Sequence, residues 1–192
     1  MADMYQLVVL MKELPQSIAE FPQKSRTKIA MNFSEKHLTV IPIPNEKNTI
    51  CLGRHLASIL RLGDCLTLSG DLGSGKSFLA RSIIRFLMHD DALEVLSPTF
   101  TLVQLYDASI PVAHFDFYRL SSHQEVVELG FDEILNERIC IIEWPEIGRS
   151  LLPKKYIDIH LSQGKTGRKA TISAERWIIS HINQMNRSTS QQ

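Results

Sequence analysis

Gly70-Asp71-Leu72-Gly73-Ser74-Gly75-Lys76-Ser77 is the stretch that decides the fold. It fits G-x-x-x-x-G-K-[ST], a loop whose successive backbone N–H groups turn towards one centre and cradle phosphate oxygens. A helix beginning at such a loop adds free N–H groups and the positive end of its dipole. Lys76 then supplies positive charge near the β- and γ-phosphates, and the Ser77 hydroxyl is a ligand for Mg²⁺. The flanks agree with this reading. Cys65-Leu66-Thr67-Leu68-Ser69 has the make-up of a short buried strand, and Phe78, Leu79, Ile83 and Leu87 recur near helical spacing over residues 78–88. Strand, phosphate loop and helix form the expected core unit, and a nucleotide is the expected ligand.

The bulk composition narrows the class without deciding it. A chain of 192 residues suits one domain with a substantial core. Lys+Arg and Asp+Glu balance at 21 each, so no global charge draws the chain to nucleic acid or to an anionic membrane. The 3 cysteines, Cys51, Cys65 and Cys140, are widely spaced in apolar segments and form no C-x-x-C. They read as reduced core residues of a cytoplasmic protein. No H-E-x-x-H zinc pattern occurs.

Residues 1–31 differ in character from the rest of the chain. Leu7-Val8-Val9-Leu10-Met11 is too short to span a bilayer and lacks the flanks of a signal peptide. The segment reads as a flexible N-terminal extension, or as sequence upstream of a true start at Met31. The nucleotide-binding domain is expected over residues 32–185, and residues 186–192 read as a polar tail.

Within that domain, Leu38-Thr39-Val40-Ile41 is expected as a strand broken by Pro42 and Pro44, followed by a helix from Asn45 to about Leu60. Glu94-Val95-Leu96 reads as a short extended piece. Ser97-Pro98-Thr99-Phe100 is an extended loop, since Pro98 keeps Ser97 from helical geometry. It is either a plain connection or a switch segment that places Thr99 near the γ-phosphate. Thr101 to Tyr106 alternates as a strand. Val112 to Tyr118 is a further strand whose period-two alternation puts His114, Asp116 and Tyr118 on one face and Phe115 and Phe117 on the other. A carboxylate on such a strand needs a partner when buried: a metal, an arginine or a water. Arg119 is a candidate charge partner for Asp116, and equally a structural residue.

Two short helices are expected over 124–129 and 132–136, separated by Gly130. Arg138-Ile139-Cys140-Ile141-Ile142-Glu143 then reads as a central parallel strand ending in an acid. Ligands gather at the carboxyl ends of such strands. Glu143 is placed there to hold Mg²⁺ directly or through water, unless it is merely a surface residue at a strand end. Trp144 comes next, held near the site mouth by Pro145, either packing or meeting a partner. Tyr156–Leu161 and Arg168–Ser173 alternate around a glycine-containing turn, as an antiparallel hairpin does. A helix from Ala174 to about Ile182 closes the fold. The whole predicts an α/β protein of the three-layer P-loop NTPase type, with a mostly parallel central sheet and an antiparallel C-terminal hairpin.

Taken together, Pro42-Ile43-Pro44, the phosphate loop, Ser97-Pro98-Thr99-Phe100, His114-Phe115-Asp116-Phe117-Tyr118-Arg119-Leu120 and Glu143-Trp144-Pro145-Glu146 resemble the bacterial TsaE (YjeE) family. The resemblance runs from about Val40 to Ile179. It implies an ATPase in the biosynthesis of threonylcarbamoyladenosine at position 37 of ANN-decoding tRNAs. Such proteins work with a TsaD–TsaB heterodimer, meet tRNA only through the complex, are not membrane proteins, and hydrolyse ATP weakly alone. By the resemblance, Asp71, Leu72, Gly73, Ser74, Gly75, Lys76 and Ser77 would cradle the phosphates of ATP. Ser77 and Glu143 would hold Mg²⁺, and Asp116 would orient a Mg²⁺-bound or attacking water. Thr99 would sit in the switch-like loop, with Trp144 beside the site. The adenine would lie between Glu46–Thr49 and Gly167–Arg168. Ser77 stands where threonine is common, and both hydroxyls ligate Mg²⁺.

The main alternative is a small-molecule or nucleotide kinase on the same fold. It would need an acceptor pocket and usually an arginine-rich lid, and no such insertion is visible. A GTP-dependent switch would need a guanine-reading Asn-Lys-x-Asp, which the chain lacks. A nucleic-acid-binding ATPase would need a basic stripe.

Overall fold

The computed structural model describes residues 36–107, 109–164 and 167–189. The expected extension over residues 1–31 lies outside the described residues, as do residues 190–192 of the expected tail. Seven strands form one sheet: β1 (His37–Ile43), β2 (Cys65–Ser69), β3 (Val103–Tyr106), β4 (Val112–Asp116), β5 (Ile139–Glu143), β6 (Ile157–Gln163) and β7 (Arg168–Ala174). Five α-helices connect and cover them: α1 (Glu46–Ala57), α2 (Lys76–Met88), α3 (His123–Glu128), α4 (Phe131–Glu137) and α5 (Arg176–Thr189).

The spatial order is β1-β7-β6-β2-β5-β4-β3. The four inner strands β6, β2, β5 and β4 run parallel. Antiparallel strands close both flanks, β7 and β1 on one side and β3 on the other. Every residue of β2, β4 and β5 is buried, which is why these strands read as nearly unbroken apolar runs rather than as alternating ones.

Alternation still assigns the faces. Leu66 and Leu68 of β2 and Ile139 and Ile141 of β5 join Leu52, Leu56, Leu79, Ile83 and Ile182 from α1, α2 and α5 in one core. Cys65, Ala113, Phe115, Cys140 and Ile142 point the other way, to Val126 and Phe131 of α3 and α4. Phe115, Phe117 and Phe131 meet there edge to face or tilted, with ring centroids 5.5–6.1 Å apart. The result is three layers, and it leaves His114, Asp116 and Glu143 on the α2 face of the sheet.

Local chemistry sets the ends of the elements. The Asn45 side chain accepts the Asn48 N–H at 3.1 Å and starts α1. Ser122 does the same for α3 through the Glu125 N–H at 3.4 Å. Gly130, at φ 70°, ends that helix and opens α4.

Several boundaries differ from the sequence reading, each for a physical reason. β1 continues through Pro42, because it lies at a sheet edge and pairs only with β7, where a missing N–H is tolerated. Residues 94–96 form no strand. The carbonyls of Leu93 and Val95 instead accept Arg85 and Arg81 side chains of α2, at 2.8 and 3.1 Å. β3 begins at Val103 rather than Thr101, since Leu102 is left-handed (φ 65°) and its N–H closes a turn onto the Pro98 carbonyl at 2.7 Å. β4 stops at Asp116, so Tyr118 lies beyond the strand and is 57% exposed. α2 begins at Lys76, inside the phosphate loop, and α5 runs on to Thr189. No described helix is long and apolar enough to cross a membrane.

Candidate functional site

β2 delivers the chain to Gly70, where φ is 127° and an added Cβ would collide with the Leu161 carbonyl of β6. Only glycine allows the loop to leave the sheet so close to its neighbour. The loop ends at Gly75, φ 102°, with the Arg168 guanidinium lying so close that an added Cβ would meet it at 2.9 Å. Between them the Ser74 hydroxyl is buried with no hydrogen-bond partner among the described residues.

Lys76 begins α2 and is 5% exposed. Its ammonium donates to the carbonyls of Gly70 at 2.8 Å and Asp71 at 2.9 Å, and lies 3.8 Å from the centre of the Trp144 ring. Burial lowers its pKa from the ordinary lysine range, against the opposing pull of Glu143, Asp116, Glu146 and Asp71. Trp144 is itself left-handed (φ 55°) and its N–H is held by the Leu68 carbonyl at 3.1 Å. That geometry turns its indole back over the loop, where it meets the Tyr118 ring at a tilt of 49°, centroids 4.9 Å apart.

The carboxylates come from two neighbouring parallel strands. Asp116 and Glu143 are register partners at the carboxyl ends of β4 and β5, 2% and 1% exposed. The Ser77 hydroxyl donates to Glu143 Oε2 at 2.8 Å, and His114 Nε2 lies 2.9 Å from Glu143 Oε1. Thr99 donates to Asp116 Oδ2 at 2.6 Å, while the Tyr118 N–H takes Oδ1 at 2.9 Å. Because the Thr99 proton is committed to Asp116, Ser97 is the donor in its 3.0 Å contact with Thr99. The Ser97 and Ser77 hydroxyls are 3.5 Å apart. A near-continuous run of oxygens thus leads from Glu143 through Ser77, Ser97 and Thr99 to Asp116.

Leu72, Gly73, Gly75, Lys76, Ser77, Ser97, Thr99, Asp116, Glu143 and Trp144 line one cleft of about 240 Å³. Beyond Trp144 and Tyr118 it adjoins a hollow of about 550 Å³, which Asp71, Glu146, Arg149 and His160 help to line. Of the residues singled out in the sequence, Arg168 reaches the loop at Gly75, Asp71 faces the larger hollow, and Glu46 lies exposed in the first turn of α1, apart from both linings. Arg119 is not the partner of Asp116: its guanidinium lies 5.3 Å over the Phe100 ring, and backbone and hydroxyl donors serve the carboxylate instead. The sequence reading also missed the contacts of His114 with Glu143 and of Tyr118 with Trp144. Shared-face alternation on β4 and β5 was the available signal for the first, and nothing local announces the second.

The donor set suits one hard cation. Two buried carboxylates side by side repel unless a positive charge joins them, and Lys76 is turned to the loop carbonyls. Mg²⁺ binds through one or two carboxylates together with substrate phosphates and water. Glu143 and the Ser77 hydroxyl already meet at 2.8 Å, where such an ion would need them.

Residues 43–171 match the family model described as threonylcarbamoyl adenosine biosynthesis protein TsaE. The tRNA threonylcarbamoyladenosine biosynthesis protein TsaE of Rickettsia conorii is 42% identical over 118 residues, covering 61% of this chain and 67% of the relative. The protein of the same name from Haemophilus influenzae is 34% identical over 140 residues, 69% of this chain and 87% of the relative. The crystal structure of Bacillus subtilis YdiB superimposes with a TM-score of 0.64 at 24% identity, over 81% of this chain and 99% of that one, and so shares the fold. The extent and strength of the match place it: the chain belongs to the TsaE family.

Proposed function

We propose that the protein is a Mg²⁺-dependent ATPase serving threonylcarbamoyladenosine formation at position 37 of tRNA, in partnership with a TsaD–TsaB heterodimer and touching tRNA only through that complex. Membership of the TsaE family supports the pathway. The observation that carries the chemistry is the phosphate loop meeting Glu143, Ser77, Thr99 and Asp116 on one face of the sheet.

In this reading the amides of residues 71–77 and the Lys76 ammonium bind the triphosphate and stabilise the charge that develops on the γ-phosphoryl oxygens. Ser77 and Glu143 are the protein's ligands for the metal, which neutralises phosphate charge when bound. Asp116, fixed by Thr99 and the Tyr118 N–H, orients the attacking water and accepts its proton. The water oxygen bonds to the γ-phosphorus as the bond to the β-phosphate oxygen breaks, giving ADP and inorganic phosphate. Arg168 and the start of α1 flank the nucleoside side, and Trp144 closes the mouth. No arginine lines the cleft of Lys76, Ser77 and the two carboxylates, among the described residues, so none stands there to stabilise charge on the γ-phosphoryl oxygens. Slow turnover alone and acceleration by the partner are the consequence.

The test is ATP turnover by the purified chain, alone and with a TsaD–TsaB heterodimer, with Lys76→Ala and Glu143→Ala as controls. Stimulation that both variants abolish is the expected result. A fast rate for the isolated chain, or phosphate appearing on a small acceptor, would overturn the reading.

A further inference from the structure

We propose that His114 is the positioning residue for Glu143: its Nε2–H fixes one carboxylate oxygen so that the other stays aimed at Ser77 and the cleft. The proposal rests on the reading of Glu143 as a metal ligand.

His114 is fully buried on β4, one strand away from Glu143 and on the same face. Its Nε2 is 2.9 Å from Glu143 Oε1, and the Ser77 hydroxyl takes Oε2 at 2.8 Å. The two contacts use different oxygens, so together they define the rotation of the carboxylate about its terminal bond, a torsion that is otherwise broad. The proton must sit on Nε2. With the proton on Nδ1, two lone pairs would face each other across 2.9 Å, and an N–H would point at nothing, since Nδ1 is buried without a hydrogen-bond partner among the described residues.

That unpartnered Nδ1 is informative in a second way. An imidazole kept in a core purely for packing would be better replaced by an apolar side chain, which strands no polar atom. What an apolar replacement removes is the hydrogen bond to Glu143. Ser77 and Glu143 would be the residues holding the metal, and the His114 contact, made on the other carboxylate oxygen, would stay available to keep Glu143 in place. Hydrogen-bonded partners behind a ligand commonly set metal affinity by about 10–100-fold.

The experiment compares His114→Phe, which has no donor, with His114→Gln, whose Nε2 lies the same number of bonds from the backbone. Mn²⁺ binding to the full chain in the presence of ADP is followed by the loss of the free-ion electron paramagnetic resonance signal, with Glu143→Gln alongside. The expected result is a loss of about 10–100-fold in Mn²⁺ affinity for His114→Phe, near wild-type affinity for His114→Gln, and unchanged metal-free ADP affinity in both. Wild-type Mn²⁺ affinity in His114→Phe, or an equal loss in both His114 variants, overturns the positioning role alone if Glu143→Gln weakens binding. Wild-type affinity in Glu143→Gln overturns the metal reading itself. Long-range ¹H–¹⁵N spectra of the unaltered, metal-free chain decide the matter even where a variant fails to fold: a protonated Nε2 is expected, and an Nε2 without a proton overturns the proposal.

Discussion

Thr99 and Asp116 are joined by a 2.6 Å hydrogen bond that spans the loop after α2 and the end of β4. The bond ties the Ser97–Phe100 segment to a buried carboxylate, and the Leu102 turn leaves no slack between them: the Leu102 carbonyl accepts the Asp116 N–H at 3.0 Å. If Asp116 orients the attacking water, Thr99 sets its aim. Thr99→Ala should lower partner-stimulated turnover by on the order of 10²-fold, the penalty typical of a misplaced reacting group. Thr99→Ser should retain most of it. Steady-state phosphate release distinguishes the two, and equal rates for wild type and Thr99→Ala would remove Thr99 from the machinery.

Trp144 offers an optical readout of Lys76. The chain has 2 tryptophans, and the other, Trp177, is 48% exposed on α5. In a Trp177→Phe background, emission reports only the ring that now lies 3.8 Å from the Lys76 ammonium. Adding ADP should draw the ammonium towards phosphate and change that emission saturably. In a Lys76→Ala version the nucleotide-free spectrum should already be altered, and the nucleotide response should be lost. Identical responses with and without Lys76 would show that the ring does not sense the lysine.

The core thiols should be silent in the folded protein. Burial pushes Cys140 up to about 12 and raises Cys65 as well. At pH 8 both stay as unreactive thiols, so a disulfide reagent should modify Cys51 first and the other two only after unfolding. The same shift makes a stability statement. A raised folded pKa means that the unfolded chain ionises first, so stability is full below the ordinary thiol value of 9.0 and declines as pH rises from there towards about 12. Urea midpoints measured across that interval should fall, and less steeply in Cys140→Ala.

Phe131 separates stability from chemistry. It packs on Phe115 and Phe117 on the sheet face opposite the cleft. Phe131→Ala should cost about 3–5 kcal/mol of folding free energy, measured by denaturant unfolding. Because α4 contributes no residue to the cleft lining, the fraction still folded should bind ADP with unchanged affinity. A parallel loss of affinity would mean that the two faces are coupled.

How much of this was legible in the chain depends on the kind of residue. The phosphate loop, the faces of β4 and the acid at the end of β5 were readable because each rests on local spacing. Pro42 misled because a proline breaks a central strand but not an edge strand, and the identity of the edge depends on β7, far along the chain. Arg119 misled because charge suggested a partner for Asp116, while Thr99 and a backbone N–H provided a nearer one. His114 was correctly placed on the face of Asp116. Alternation on β5 puts Glu143 on that same face, but only the register between β4 and β5, a tertiary fact, brings His114 and Glu143 into contact.

The sheet order carries a consequence for synthesis. β2, which carries the phosphate loop, sits between β5 and β6, and Gly70 and Gly75 lean on Leu161 and Arg168. Residues 70–77 leave the ribosome well before residues 157–174, so a growing chain presents this loop for some time with one flank of its strand unpaired. Nascent chains stopped ahead of β6 lack the wall that shapes the loop. If the loop holds a nucleotide, its binding geometry is complete only once the hairpin has joined the sheet.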